Sequence, residues 1–385
     1  MRNGISERLA PRLSNPARAA GGLLLVAWLA ACGVAHRSAS VPQISATTNF
    51  QLATEGIHTL QGWYDPATGL YQTTGWWNSA NALTVLIDYS KVAHTHQYDS
   101  TLATTFTVAQ SGAQGHPRFL NRYYDDEGWW ALAWIDAFDL TGHAAYLSMA
   151  ESIFGDMSGG WDDVCSGGIW WTKDRTYKNA IANELFLSVS ASLANRDRSH
   201  QGTYVGWANK EWSWFSQSGM INSHNLVNDG LTITNGAAGT VCANNGKTVW
   251  TYNQGVILNG LVELRKASGD QSVLQSADQI ASVAIASLVD SNRILHDPCE
   301  PNCGADGVQF KGIFVRNLAR LYSLRPLPAY KRFIFENADA IGALSQGPGF
   351  QFGQVWSGPF TGSNAAIQSS ALDAIVGAVV IDNTH

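Results

Sequence analysis

The segment Arg122-Tyr123-Tyr124-Asp125-Asp126-Glu127-Gly128-Trp129-Trp130 concentrates the chemistry of this chain. Three consecutive acids enter what reads as a helix, with aromatic residues on both sides. One acid in a first turn caps a helix and complements its dipole. Three acids under aromatic cover exceed that need. Neighbouring carboxylates in such surroundings can differ in proton affinity, so that one stays ionised while the other keeps its proton. A pair of that kind suits cleavage of a glycosidic bond. One carboxylate attacks the anomeric carbon and the other protonates the leaving oxygen. Asp125 and Asp126 are the candidate pair, and Glu127 reads as helix-entry charge.

Further residues suit a sugar. Trp76, Trp77 and Tyr252 stand at predicted helix starts beside long loops. With Tyr123 and Trp129 they are candidates to stack on sugar rings, whose C–H faces are apolar and whose rims are polar; core packing is the alternative for each Trp. Asn179 and Asn183 lie one turn apart on a shared helix face. Their amides can hold sugar hydroxyls or satisfy loop carbonyls. Asp229, between Asn228 and Gly230 in a long loop, is a candidate clamp on hydroxyls, with an Asx turn as the alternative. The histidines are scattered and form no metal-ligand pattern. No phosphate loop, dinucleotide fingerprint or His-Glu-x-x-His occurs, so neither cofactor nor metal is expected.

The elements that must position these residues are helices. Apolar residues recur at helical spacing, with Gly, Asn, Asp and Pro between the runs. The predicted spans are about 46–62, 76–93, 97–111, 127–141, 143–157, 178–195, 201–218, 251–268, 270–288, 307–324, 328–343 and 364–381, with no convincing strand. An internal echo supports pairing. Leu140-Thr141-Gly142-His143 and Ala267-Ser268-Gly269-Asp270 each end one long helix at a Gly and start another at once. Gly supplies the left-handed cap, and so short a loop forces the two helices antiparallel. The expectation is an all-α toroid of six helical hairpins, with inner helices around a cleft. Longer inner-to-outer loops would build the site on one face. Those loops are Gly- and Trp-rich and too long to be mere connections.

Composition narrows the classes. The chain has 385 residues, a formal net charge of −6 and 15 tryptophans, and 14% of its residues are charged. Low charge with many aromatics excludes a disordered chain, and the negative balance removes the footprint of a nucleic-acid binder. A monomer is expected. Residues 1–20 carry four arginines against one glutamate, and the apolar run Gly21–Ala31 that follows is too short to span a bilayer. This pattern reads as an export signal. Its end, Leu29-Ala30-Ala31-Cys32, resembles a bacterial lipobox. The domain reading is a signal at 1–31, a tether at 32–45 and a catalytic domain at 46–385, with Cys32 lipidated and holding the protein on a membrane of the cell envelope. Cleavage after Ser40 and release as a soluble protein is the alternative. Four cysteines then remain, an even number in an exported chain. Cys299 and Cys303 form a tight loop that can close on itself, which leaves Cys165 for Cys242. A zinc site is the rival, with metal-like spacing in only one half.

Tyr-Tyr-Asp-Asp-Glu-Gly-Trp-Trp at 123–130 resembles the signature of glycoside hydrolase family 76, the α-1,6-mannanases and related fungal cell-wall transglycosidases. Further segments match in order: Trp76-Trp77-Asn78-Ser79-Ala80-Asn81, Gly167 to Trp171, Tyr177 to Glu184, Leu226 to Leu231, Trp250 to Gly255 and Phe310 to Arg316. The resemblance implies an (α/α)6 barrel, retention of configuration, Asp125 as nucleophile and Asp126 as general acid/base. It implies α-mannan or a mannose-containing oligosaccharide as substrate, cut inside the chain. A transglycosidase using the same covalent intermediate is the first alternative. A non-catalytic glycan-binding surface protein is the second.

Overall fold

The computed structural model describes residues 48–112, 115–237 and 239–383. The leader, the tether and Cys32 lie outside the described residues. Twelve α-helices occur among those described: α1 Asn49–Gln61, α2 Trp76–Val92, α3 Asp99–Ala109, α4 Tyr124–Thr141, α5 Ala144–Ser158, α6 Ala180–Arg196, α7 Gln201–Phe215, α8 Thr251–Ser268, α9 Ser272–Ser287, α10 Phe310–Tyr322, α11 Pro328–Leu344 and α12 Ala365–Asp382.

Two kinds of helix alternate. The even-numbered helices are buried over nearly their whole surface, as in α6, where every residue from Ala180 to Ala194 is buried. The odd-numbered ones bury a single stripe, as in α9 with Val273, Leu274, Ala277, Ile280, Ala281 and Ala284. A helix that is apolar or small all round must lie inside others. The even helices accordingly form a closed ring, each packing on the next from α2 to α12 and α12 returning to α2. The odd helices pack outside it, with α1 closing the last pair against α12. This is the expected (α/α)6 barrel. Gly142 and Gly269 end α4 and α8 in the left-handed region, φ 73° and 79°, and those turns need just that conformation.

Two details differ from the sequence reading. The long loops run from each outer helix into the next inner one, not outward. They therefore deliver the chain to the N-termini of the inner helices, and one end of the barrel collects six helix starts. Short hairpins also occur within these loops: β1 Tyr64–Asp65 with β2 Leu70–Tyr71, and β3 Leu231–Gly236 with β4 Gly239–Asn244, both antiparallel. The alternation Thr232-Ile233-Thr234 and the Gly at each end of the turn carry the signal for the longer one. Disulfides join Cys165 to Cys242 and Cys299 to Cys303, the pairing expected. The first staples the 159–179 loop to β4.

Candidate active site

The inner-helix starts converge on a cleft of about 560 Å³, lined by residues that include Asp125, Asp126, Trp171, Asp229, Tyr252 and Asp306. Asp125 and Asp126 lie within the first turn of α4, which begins at Tyr124, earlier than the sequence suggested. The N-cap Tyr123 makes no side-chain cap bond.

Each of the three acids has its own surroundings. Asp125 Oδ2 accepts from Trp171 Nε1 at 3.1 Å, while its buried Oδ1 has no hydrogen-bond partner. Asp126 Oδ2 accepts from Asn121 Nδ2 at 2.7 Å. Burial raises Asp125 well above the usual carboxylate range, helped by the charge of Asp126 and opposed by Trp171 and the free N–H groups of the helix start. Burial also pushes Asp126 up to about 6, with Asn121 opposing and Asp306 adding to the rise. A helix N-terminus favours the ionised form of a carboxylate in its first turn. In the free protein burial outweighs it, and the two carboxyls together retain a proton well above the ordinary range.

Glu127 has a different role from either. It is fully buried. Its Oε1 accepts from the backbone N–H of Asn121 at 2.9 Å and from Lys173 Nζ at 2.8 Å. It therefore latches the loop before α4 to the 159–179 loop that covers it. Burial pushes Glu127 up to about 8, against the pull of Lys173.

The cleft walls divide into two groups. On one side Tyr177 O–H donates to Asp229 Oδ2 at 2.5 Å and Asn245 Nδ2 donates to Tyr177 at 2.8 Å. Asn179 caps α6 there, and its backbone bridges to Gly230. On the other side Trp77 stacks on Trp129 with ring centroids 5.7 Å apart, and Trp77 Nε1 donates to Asp306 Oδ1 at 2.9 Å. Tyr252 stacks on Phe310 at 3.8 Å. Tyr123, 39% exposed, leans on Trp171 at 5.2 Å.

Of the candidates, Trp77, Tyr123, Asp125, Asp126, Trp129, Asn179, Asp229 and Tyr252 all line the cleft. Two do not. Trp76 packs on His116 at 4.1 Å and on Trp130 at 5.7 Å, facing the core. Asn183 is fully buried; its Oδ1 accepts from Ile169 N at 2.7 Å and its Nδ2 donates to the carbonyls of Ile169 and Asn179. It satisfies loop backbone, the alternative weighed for it. Trp171, Tyr177, Asp306 and Phe310 line the cleft without having been singled out. Glu184 was also missed. It is buried with both oxygens unpartnered, and burial followed by the charge of Asp229 raises it well above its usual value.

A larger hollow of about 1010 Å³ lies between α7, β4 and the 161–166 segment. It contains neither acid of the pair. Lys210 Nζ covers the Trp161 ring at 4.1 Å, and Trp214 packs under Gly168. Its indoles are thus already engaged, and the cleft with the paired acids is the better candidate.

Residues 51–384 match glycosyl hydrolase family 76. The chain belongs to that family. Among curated family 76 relatives it is 28% identical over 313 residues to the mannan endo-1,6-alpha-mannosidase DCW1 of Candida albicans, covering 73% of this chain and 67% of that one. It is 26% identical over 336 residues to DCW1 of Saccharomyces cerevisiae, covering 80% and 72%. Of the Candida glabrata DCW1 it spans 63%, so part of these relatives' length has no counterpart here. Among solved structures, the family 76 barrel recurs in an inactive variant of the alpha-1,6-mannanase GH76A of Salegentibacter sp. HEL1_6, two consecutive aspartates replaced by alanine, in complex with alpha-1,6-mannotetrose. Its TM-score is 0.77 at 21% identity, covering 86% of this chain and 99% of that one. Dfg5 from Chaetomium thermophilum, in complex with glucosamine, has a TM-score of 0.74 at 20% identity, covering 88% and 92%.

Proposed function

We propose that this chain is a retaining, endo-acting α-1,6-mannanase that works through a covalent mannosyl intermediate on Asp125. The observation that carries the reading is the pair Asp125–Asp126 at the floor of a cleft walled by aromatic rings and two further carboxylates. Carboxyls about 5–5.5 Å apart support retention, and adjacent residues with diverging side chains can reach that separation. Trp171 Nε1 donates to Asp125 Oδ2 at 3.1 Å and so orients the carboxylate that attacks. Asp126, lifted by burial, gives its proton to the glycosidic oxygen and then takes one from water. The curated relatives are named as endo-1,6-alpha-mannosidases, and the Salegentibacter structure shows α-1,6-mannotetrose bound to a variant inactivated at consecutive aspartates. Both support mannan as the substrate and this pair as the centre.

Incubation with α-1,6-mannan tests the proposal. Shortened oligosaccharides with retained anomeric configuration, followed by proton NMR, are expected. Lengthened products would point to transfer, and an unchanged polymer to binding alone.

The two disulfides fit an oxidising compartment. With the leader they support export, and the membrane anchor at Cys32 is part of this proposal. Cys32→Ala should move the protein from the membrane to the soluble fraction or block its processing. A wild-type protein that is soluble and starts after Ser40 would refute the anchor.

A further inference from the structure

Asp306 lies in the loop before α10, three residues after the Cys299–Cys303 disulfide. Its carbonyl accepts from Gln309 N, and Gly307 N donates back to Cys303 O, so the disulfide loop and the turn that opens α10 fix its backbone. The side chain is exposed and lines the cleft. Trp77 Nε1 holds Oδ1 at 2.9 Å. Among the described residues neither a lysine nor an arginine pairs with Asp306, and Oδ2 carries no hydrogen bond. A carboxylate held this way, with one oxygen anchored and the other turned to an open cleft, is set to accept from an uncharged donor-rich ligand.

Its place in the cleft says which part of such a ligand. Asp306 and Trp77 form one wall, with Trp77 stacked on Trp129 of the helix that carries Asp126, and the negative charge of Asp306 reaches Asp126. Asp229 belongs to the opposite wall, held by Tyr177, whose ring meets Trp171, the donor to Asp125. In the mechanism proposed above, the acid/base faces the glycosidic oxygen, and the sugar beyond that oxygen lies on the acid/base side. We propose that the Asp306 carboxylate, anchored by Trp77, binds hydroxyl groups of the sugar on the leaving-group side of the scissile bond and so determines which chains are cut. The assignment rests on the glycosidase reading. A carboxylate suits this task because it can accept from two neighbouring ring hydroxyls at once. The indole of Trp77 beside it offers an apolar edge to the same ring.

The test compares two substrates that differ only beyond the scissile bond: α-1,6-mannotetraose and the dinitrophenyl glycoside of α-1,6-mannotriose, whose aryl leaving group carries no hydroxyls. Asp306→Ala should lower kcat/KM on mannotetraose by roughly 10- to 100-fold, the range for a hydrogen bond to a charged group. It should leave the aryl substrate within about twofold. Asp306→Asn keeps an acceptor for Trp77 and should fall between wild type and Asp306→Ala on mannotetraose, which guards against a loss due to misfolding. Trp77→Phe should act in the same direction on mannotetraose by releasing the anchor. Equal losses on both substrates would overturn the assignment, because Asp306 would then serve the loop or the chemistry. Unchanged kcat/KM in a protein whose wild type cleaves both would overturn this assignment alone. A wild type that cleaves neither would overturn it together with the reading it rests on.

Discussion

At the scale of single residues, the proton shared by Asp125 and Asp126 sets the expected pH dependence. The working form of the pair carries one proton, whichever oxygen holds it at rest. Burial lifts Asp126 to about 6 and Asp125 well above the usual range. An acid whose affinity is raised keeps its proton longer as pH rises. The fall of kcat/KM with rising pH should therefore come at about pH 6 or above, rather than near the ordinary carboxylate value of about 4. A profile already lost by about pH 5 would contradict this account. The two residues should also separate by substitution. Asp125→Asn should abolish turnover of every substrate with the fold intact. Asp126→Asn should cost roughly 10²–10⁴-fold on mannan but less on a substrate with an activated leaving group, and azide should restore turnover there. Azide rescue of the Asp125 variant with a product of retained configuration would reverse the roles, whereas an inverted glycosyl azide there would mark Asp125 as the nucleophile. This pair was legible because three acids in a row among aromatics exceed what a helix start requires. Asp306 was not legible. It is one acid in a loop, and only the fold brings it to Trp77, 229 positions earlier.

At the scale of elements, the 159–179 loop is held from below by Lys178. This side chain is fully buried. Its three N–H bonds are shared among Asp162 Oδ1 at 2.8 Å and the carbonyls of Val164, Gly167 and Gly168 at 2.6–2.9 Å, and Nζ sits 4.8 Å from the Trp170 ring. One ammonium thus gathers a loop that places Trp171 and Tyr177 in the cleft. Removing one partner of a buried ion pair costs about 3–5 kcal/mol. Lys178→Met should lose stability on that order in urea unfolding. It should also lower kcat, because Trp171 no longer holds Asp125. Breaking the Cys165–Cys242 bond across a separation of 77 residues should cost about 2–4 kcal/mol while leaving Lys178 in place; unfolding of the double Cys→Ala variant checks it. Helix boundaries were readable to within a few residues because the apolar period is local. The direction of the long loops was not. The sequence shows where loops lie, but which helix of each hairpin faces inward depends on burial over the whole helix surface. Asn183 shows the same limit: its spacing from Asn179 was correct, and its amide nonetheless went to Ile169.

At the scale of the whole molecule, the barrel is open to substrate at the end where the inner helices start and closed by charge at the other. Arg320 binds Asp136 at 2.7 Å and Asp88 at 3.3 Å, Lys91 binds Asp136 at 3.1 Å, and Arg196 joins Glu263 at 2.8 Å. Single residues of this network give no local signal, since the Arg320–Asp136 contact spans 184 positions. It does not take part in the proposed chemistry. Asp136 lies eleven residues beyond Asp125 on α4, about 16 Å along the helix at 1.5 Å per residue. Burial alone would raise Asp136; Arg320 and Lys91 outweigh it and hold it well below the usual range. A depressed carboxylate stabilises the fold above its unfolded value, and that contribution is lost as pH falls through the folded one. Arg320→Met should therefore destabilise by about 3–5 kcal/mol near neutral pH. The difference from wild type should shrink below about pH 4, where Asp136, left with Lys91 alone, takes up a proton. KM and kcat on mannan at a temperature where both proteins are folded should be unchanged. A variant that keeps its stability, or one that loses activity while folded, would show that the closed end of the barrel is not a separate structural plug.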